Sequence, residues 1–259
     1  MRLLPPAALT LALSLCSIGE ALAQEPHLVF TSALPEPTSA APEVTAIVEE
    51  RGLALWSGAS SEFGVGAVRS DGRWTFRTIT SMTTRPVEGH ARPMFQQFDV
   101  VRPVLSNRSL SVAAGGGLRQ EWDGTRVYVG RVQAGATVAS GRLQGSVVVE
   151  RAVSSPTVHD AADVVTSVGW SRPIGRRFGL GVESIAQDLE GLWNPAEADG
   201  GAKLLVGPSI HARSTNGRWE AAFTGGPVVR TFSTLSPPVS PVLSPGRHFG
   251  LFASATWIP

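Results

Sequence analysis

The stretch GRLQGSVVVE, residues 141–150, alternates between two kinds of side chain. Apolar or small residues occupy every second position, namely Leu143, Gly145, Val147 and Val149. Polar residues occupy the positions around them, namely Arg142, Gln144, Ser146 and Glu150. Because successive side chains of a β-strand point to opposite faces, the stretch predicts a strand with one apolar and one polar face.

The same period of two recurs after Pro42 and predicts an all-β protein. The predicted strands are 44–56, 61–70, 73–83, 95–106, 109–121, 126–139, 142–153, 163–172, 177–188, 202–213, 218–230 and 248–258. The first two are the weakest, and without 44–56 the number falls to ten or eleven. Because an even number is expected when both termini lie on the same side of a membrane, we predict about twelve strands, with ten as second choice.

The predicted connections alternate between short and long. Turn-forming residues with Gly or Asn mark short connections near 70–72, 106–108, 139–141, 172–176 and 214–217. Mostly longer connections lie at about 84–94, 153–162, 189–201 and 231–247, with a brief one near Asp123. This alternation is typical of a closed antiparallel up-and-down transmembrane β-barrel, which has tight periplasmic turns and longer external loops.

The N-terminal residues predict export. Arg2, an apolar run over 7–15 and the small-x-small triplet at 21–23 have the layout of a secretory signal peptide, cleaved near Ala23. The run is too short for a membrane-spanning helix. Residues 24–42 contain several prolines and predict a flexible lead-in, so the barrel domain is assigned to 43–259.

Composition excludes several classes of function. The net charge of +1 gives no electrostatic reason to bind nucleic acid. Cys16 is the only cysteine and lies in the predicted signal peptide, so we expect neither disulfides nor thiolate chemistry in the mature protein. No further stretch approaches the length of a transmembrane helix, so a membrane role would depend on strands.

These patterns together resemble the bacterial outer-membrane β-barrel proteins. In that class, the last strand commonly has apolar residues at alternate positions, ends on an aromatic residue and is recognised by the outer-membrane assembly machinery. The matching residues are Phe249, Leu251, Ala253, Ala255 and Trp257, although Ile258 and Pro259 follow them. The resemblance implies that the outer membrane of a Gram-negative-type bacterium is the location and its lipid bilayer a partner.

A secreted soluble barrel of lipocalin type, which binds an apolar ligand, is the main alternative. A period of two does not say which face points outward, but three features favour the membrane. The polar face has few of the Lys and Glu residues that cover soluble proteins. The apolar face is rich in Ala, Gly and Val and would fill a dense core poorly. Tryptophans lie near predicted strand ends, as in an interfacial girdle, at Trp74, Trp122, Trp170, Trp193, Trp219 and Trp257.

For a membrane barrel, the polar face lines the lumen. The candidate lumen residues are Arg77, Asp99, Arg119, Arg131, Arg142, Glu150, Glu183, Lys203, His211, Arg213, Glu220 and Arg230. They predict either a buried charge network that stiffens a narrow barrel or a polar path for a small solute. The sequence therefore predicts a structural protein or a passive small-solute channel, with a solute and an oligomeric state that it does not define.

Signals for chemistry are weak, and we predict no enzyme, metal or cofactor. A membrane-embedded hydrolase is a second alternative, with His159, Asp160 and Asp163 beside Ser154 and Ser155 as its candidate cluster. The loop 188–201 offers Asp188, Glu190, Asn194, Glu197 and Asp199 as oxygen ligands, but it lacks the spacing of a known calcium loop. A solvated loop is the simpler interpretation of both segments. The proline-rich segment 233–245 predicts either a rigid cap or a mobile lid.

Overall fold

The structure is a computed structural model of the 259-residue chain. It describes residues 43–51, 61–70, 74–85, 90–107, 109–154, 162–188, 192–194, 202–216, 219–230 and 249–257. The predicted signal peptide and lead-in, 1–42, lie outside the described residues, as do most of the predicted long loops. Within the described ranges, no helix is long and apolar enough to cross a membrane.

Twelve strands make up almost all of the described chain. They are β1 (Glu43–Arg51), β2 (Ser61–Ser70), β3 (Thr75–Arg85), β4 (His90–Ser106), β5 (Leu110–Glu121), β6 (Arg126–Val138), β7 (Gly141–Ser154), β8 (Asp163–Ile174), β9 (Phe178–Gln187), β10 (Lys203–Arg213), β11 (Trp219–Arg230) and β12 (Phe249–Trp257). Most bounds lie within two residues of the predicted strands. The first strand is shorter than predicted and ends at Arg51.

Each strand pairs antiparallel with the next one in the chain, which confirms the predicted up-and-down all-β sheet. β1 also pairs with β12, with Ala46 opposite Trp257, so the order of hydrogen-bonded neighbours returns to its start. An antiparallel sheet with this order places all odd connections at one end and all even connections at the other.

β4 is the main departure from the predicted strands. The connection predicted at 84–94 is largely strand, because β4 begins at His90 and contains Pro93 and Pro103. Proline lacks the N–H that a strand ladder requires, and it is tolerated at bulges. The pairing register shifts next to both prolines, between Ser81 and Met82 on β3 and between Pro103 and Leu105 on β4. These irregularities accommodate the prolines in a continuous strand.

The two ends of the sheet differ in their connections. At the short-turn end, β6 and β7 are joined by Ala139 and Ser140, both with positive φ, at 49° and 61°. Positive φ at both central residues is the geometry of a type I′ hairpin turn, which matches the twist of the strands. At the long-connection end, 188–202 separates β9 from β10 and 231–248 separates β11 from β12.

The two faces of the sheet have opposite character. One face is buried, and the other exposes large apolar side chains, among them Phe98 at 50%, Val168 at 51% and Val182 at 54%. Other exposed members are Phe76, Leu118, Tyr128, Val132, Val147, Val149, Val164, Leu180, Val206, Ile210, Phe223 and Val229. Trp74 and Trp122 are exposed near opposite ends of the strands. The sheet therefore has an apolar exterior.

Candidate functional site in the barrel interior

Charged side chains are buried on the inner face. In the described part of the chain, eight are buried, four of each sign: Arg77, Arg119, Arg131 and Lys203, and Asp99, Glu150, Asp163 and Glu183. Seven of these are candidate lumen residues from the sequence, and Asp163 is the eighth. Equal numbers of both signs favour mutual pairing over a lumen field of one sign.

Asp99 on β4 is the centre of the first cluster. The Nε of Arg77, which is directly opposite on β3, donates to Asp99 Oδ2 at 2.8 Å. The Nε2 of Gln97 donates to Asp99 Oδ1 at 2.9 Å, and a guanidinium nitrogen of Arg131 on β6 lies 3.7 Å from Oδ2. All four side chains are buried. One carboxylate thus links β3, β4 and β6 of the inner wall.

Glycines on β5 make this link between β4 and β6 possible. Gly117 lies opposite Asp99, and Gly115 lies between Val101 and Arg131 in the register. A Cβ atom at Gly117 would overlap the Phe98 carbonyl oxygen and the Asp99 carboxylate. Because β5 has no side chain at these positions, the carboxylate on β4 and the guanidinium on β6 approach each other across it.

A second ion pair crosses β6. Arg119 on β5 donates to Glu150 Oε2 on β7 at 2.9 Å, and both side chains are fully buried. A second contact joins Arg119 Nε to Glu121 Oε1 at 3.2 Å, and its guanidinium lies 5.4 Å from the centre of the Phe95 ring. This pair holds the wall together near the long-connection end, where β5 and β7 meet the loops.

Acidic groups on β8 and β9 have neutral hydrogen-bond donors. Gln187 Nε2 donates to Asp163 Oδ2, and Thr224 Oγ1 donates to Glu183 Oε2. His211 Nε2 lies 3.9 Å from Glu183 Oε1. The inner face of β8–β11 therefore contains polar contacts, in addition to the ion pairs on the inner face of β3–β7.

An apolar cluster also lies on the inner face, which the predicted polar lining did not include. Its members are Val127, Val129, Val148, Val165, Ile185, Leu205 and Val228. All but Val148 lie within the four or five residues of their strands nearest the long-connection end. The sequence contained a signal for them, since in an uninterrupted apolar run such as Val147–Val149 one residue must face inward.

Several predicted lumen residues lie nearer the short-turn end. Arg142 and His211 are half-buried, and Arg213 at the end of β10 is exposed. The backbone at Glu220 and Arg230 lies in β11, but their side chains fall outside the described part. The same holds for Leu251, Ala253, Ala255 and Trp257 of the predicted assembly signal, whereas Phe249 is exposed.

The weaker chemical candidates lie mostly outside the described residues. His159, Asp160 and Ser155 are among these, and Asp163 is a buried partner of Gln187 instead. Of the candidate oxygen ligands in the loop 188–201, only Asp188 and Asn194 are described. Among the described residues, no group of three or more His, Cys, Asp or Glu side chains has the arrangement of a metal site.

Sequence comparison finds no matching protein-family model and no matching curated protein. Solved structures do match. The NanC porin superimposes with a TM-score of 0.55 at 8% identity, covering 85% of this chain and all of the porin. The KdgM porin in complex with disordered oligogalacturonate gives a TM-score of 0.50 at 8% identity, covering 83% of this chain and 98% of that one. The chain therefore has the fold of bacterial outer-membrane β-barrel proteins, as the resemblance in its sequence indicated.

Proposed function

We propose that the chain is an integral outer-membrane β-barrel of twelve strands, closed by the β1–β12 pairing, that acts as a structural protein or a passive channel for small solutes. The observation that carries the proposal is the apolar exterior around an interior in which eight charged side chains of the described residues are buried. A protein in lipid must pair its backbone polar groups internally, and a closed antiparallel barrel does so without an open edge. The antiparallel pairing recorded for all twelve strands supports this.

The exposed apolar face favours a membrane barrel over a secreted soluble barrel. Large apolar side chains are exposed on β3 to β12, including Phe249 at the start of the last strand. Monomeric soluble proteins rarely expose contiguous apolar patches larger than a few hundred Å². A lipocalin-like protein would instead keep these residues inside and place the charged ones in water.

The interior contacts favour a wall that is stiffened by ion pairs and that leaves at most a narrow path for solutes. The buried ion pairs Arg77–Asp99 and Arg119–Glu150 span the wall, and the apolar cluster lies beside them. An oligogalacturonate is a polyanion, and a channel selective for such a solute would need an excess of positive charge. The eight buried charges of the described residues balance, so we infer a passive, weakly selective interior.

The targeting of the protein follows from its sequence. We infer that residues 1–23 direct export and are removed near Ala23, and that 24–42 form a lead-in before the barrel. The alternate apolar residues from Phe249 to Trp257 then act as the signal for the outer-membrane assembly machinery. The candidate hydrolase residues His159, Asp160 and Ser155 lie outside the described residues, so a hydrolase is not proposed.

Conductance in a planar bilayer tests the braced interior. We expect the wild-type protein to insert into the bilayer and to show a far smaller conductance than a general porin measured in the same bilayer chamber. The double variant Arg119→Ala/Glu150→Ala removes both side chains of a buried pair, and Glu121, which also contacts Arg119, is partly exposed to solvent. Because two long side chains are lost from the interior, the conductance should rise. A wild-type conductance as large as that of the general porin would contradict the proposal.

A matched control separates the effect of removing the Arg119–Glu150 pair from a general effect of removing charge. Arg172 is an exposed arginine at the short-turn end of β8, and Arg172→Ala should leave the conductance unchanged. Heat-modifiable gel migration confirms that each variant is folded before it is measured. Recovery of the wild-type chain as a soluble periplasmic monomer would refute the membrane location itself.

A further inference from the structure

A basic and aromatic patch lies on the exterior at the long-connection end of β5–β7. We name it the rim patch, and its members are Gln120, Arg126, Tyr128 and Arg151, all exposed. Gln120 is directly opposite Arg126 across β5 and β6, and Tyr128 is directly opposite Arg151 across β6 and β7. Arg126 and Tyr128 are two residues apart on the same face of β6, beside a shift of the β6–β7 register between Arg126 and Val127, so the two arginines are neighbours on one surface.

The positive charge of the rim patch is not neutralised within the described part of the chain. The Nε of Arg126 donates to Gln120 Oε1 at 3.2 Å, which is a contact to a neutral group. Arg151 forms no ion pair with a described residue. Of the neighbouring carboxylates, Glu121 and Glu150 both contact Arg119, and Asp123 on the β5–β6 turn accepts a hydrogen bond from the Thr125 amide. The patch therefore presents two guanidinium groups to its surroundings.

The height of the patch places it at a lipid headgroup region. Tyr128 and Val138 are ten residues apart on the exterior of β6, and Trp170 donates to the Val138 carbonyl oxygen at 3.1 Å at the short-turn end. At about 3.3 Å per residue and about 40° of strand tilt, these ten residues span ~25 Å along the membrane normal. That equals the height of the apolar band of outer-membrane barrels, about 25 Å. Arg126 and Arg151 then lie at its upper boundary.

The chemistry of the patch fits phosphate. A guanidinium donates two parallel hydrogen bonds to phosphate oxygens, and a tyrosine at the membrane boundary keeps its ring in lipid and its hydroxyl at the headgroups. Short turns of such barrels face the periplasm, so the long-connection end faces the outer leaflet. We propose that the rim patch binds the phosphate groups of a phosphorylated glycolipid of the outer leaflet. This rests on the proposed membrane location.

Lipid binding by the purified, detergent-solubilised protein tests the proposal. Native mass spectrometry would compare bisphosphorylated lipid A with its dephosphorylated form. We expect the wild type to prefer the phosphorylated lipid, and Arg126→Gln/Arg151→Gln to lose about tenfold or more of that affinity, because each lost charge-assisted contact is worth about a factor of ten.

The control variant is Arg102→Gln/Arg172→Gln, which removes two exposed arginines from the short-turn end. It should keep the wild-type preference for the phosphorylated lipid within about twofold, because the loss of two exposed charges away from the rim patch has only a small effect on binding. Equal losses in both double variants, or no loss in the rim variant, would overturn the proposal. If the rim variant does not fold, as judged by heat-modifiable migration, the single variant Arg151→Gln replaces it.

The experiment also separates this proposal from the membrane location. A heat-modifiable protein that inserts into vesicles but shows no phosphate preference would refute the lipid site alone. A protein that remains soluble without detergent would refute the membrane location on which the site depends.

Discussion

Neutralising Asp99 should destabilise the barrel strongly. Asp99→Asn keeps the size of the side chain but removes the carboxylate shared by Arg77, Gln97 and Arg131. Asp99 is 1% exposed, so solvent cannot replace the lost charge. Breaking a buried ion pair by removing one partner costs about 3–5 kcal/mol. Because a second arginine also loses its partner here, we expect a loss of at least about 3 kcal/mol in the free energy of unfolding.

Urea titration of the protein folded in phosphatidylcholine vesicles measures this loss, with tryptophan fluorescence as the signal. The control is Asp123→Asn on the exposed β5–β6 turn, where an asparagine oxygen can still accept the hydrogen bond of the Thr125 amide. It should change the free energy of unfolding by less than about 0.5 kcal/mol.

A double-mutant cycle isolates the pair itself. Arg77→Gln combined with Asp99→Asn should lose less than the sum of the two single losses, with a coupling energy of at least about 1 kcal/mol. A loss below about 0.5 kcal/mol for Asp99→Asn, or additive single losses, would refute the view that this cluster braces the wall.

Three further predictions use the same unfolding assay. Gly117→Ala should cost about 1–3 kcal/mol because its methyl group would overlap the Phe98 carbonyl oxygen, whereas Gly130→Ala should be tolerated because its nearest atom is 3.8 Å away. Ser140→Gly should stabilise the barrel by about 1 kcal/mol, since it relieves a positive φ in the β6–β7 turn, and an unchanged free energy of unfolding would contradict this. Val168→Arg, near the middle of the exterior of β8, should cost about 2–4 kcal/mol in lipid, and a neutral result would argue against a lipid-facing side chain there.

The sequence predicted the strands and their two faces well, because a period of two is a local property. Alternation over 141–150 predicted β7 within one residue at its N-terminal end. The prediction was wrong over most of 84–94, which was assigned to a connection between strands. β4 includes Pro93 and Pro103 because bulges accept them, and a bulge depends on the register of the neighbouring strand.

The contacts of the interior were beyond prediction from the sequence. Arg119 meets Glu150 across an intervening strand, 31 positions away, which depends on strand stagger and twist. In the sequence, Gly115 and Gly117 indicate only small residues. In the structure, their lack of a side chain lets Asp99 and Arg131 approach each other across β5. The inner apolar cluster was missed because two adjacent apolar residues, such as Val164 and Val165, interrupt the period of two. The pattern then does not say which of the two faces inward.

Oxygen accessibility at two adjacent positions of β7 tests the central claim most directly. Spin labels would be placed on Val147→Cys or Ser146→Cys in a chain beginning at Gln24, which has no other cysteine. Val147 is exposed on the outer face, and Ser146 Oγ lies 2.7 Å from Ser167 Oγ on the inner face. In vesicles, the label at 147 should be relaxed by lipid-dissolved oxygen and the label at 146 should not. The reverse pattern, or a label at 147 accessible to a water-soluble nickel complex, would contradict the claim.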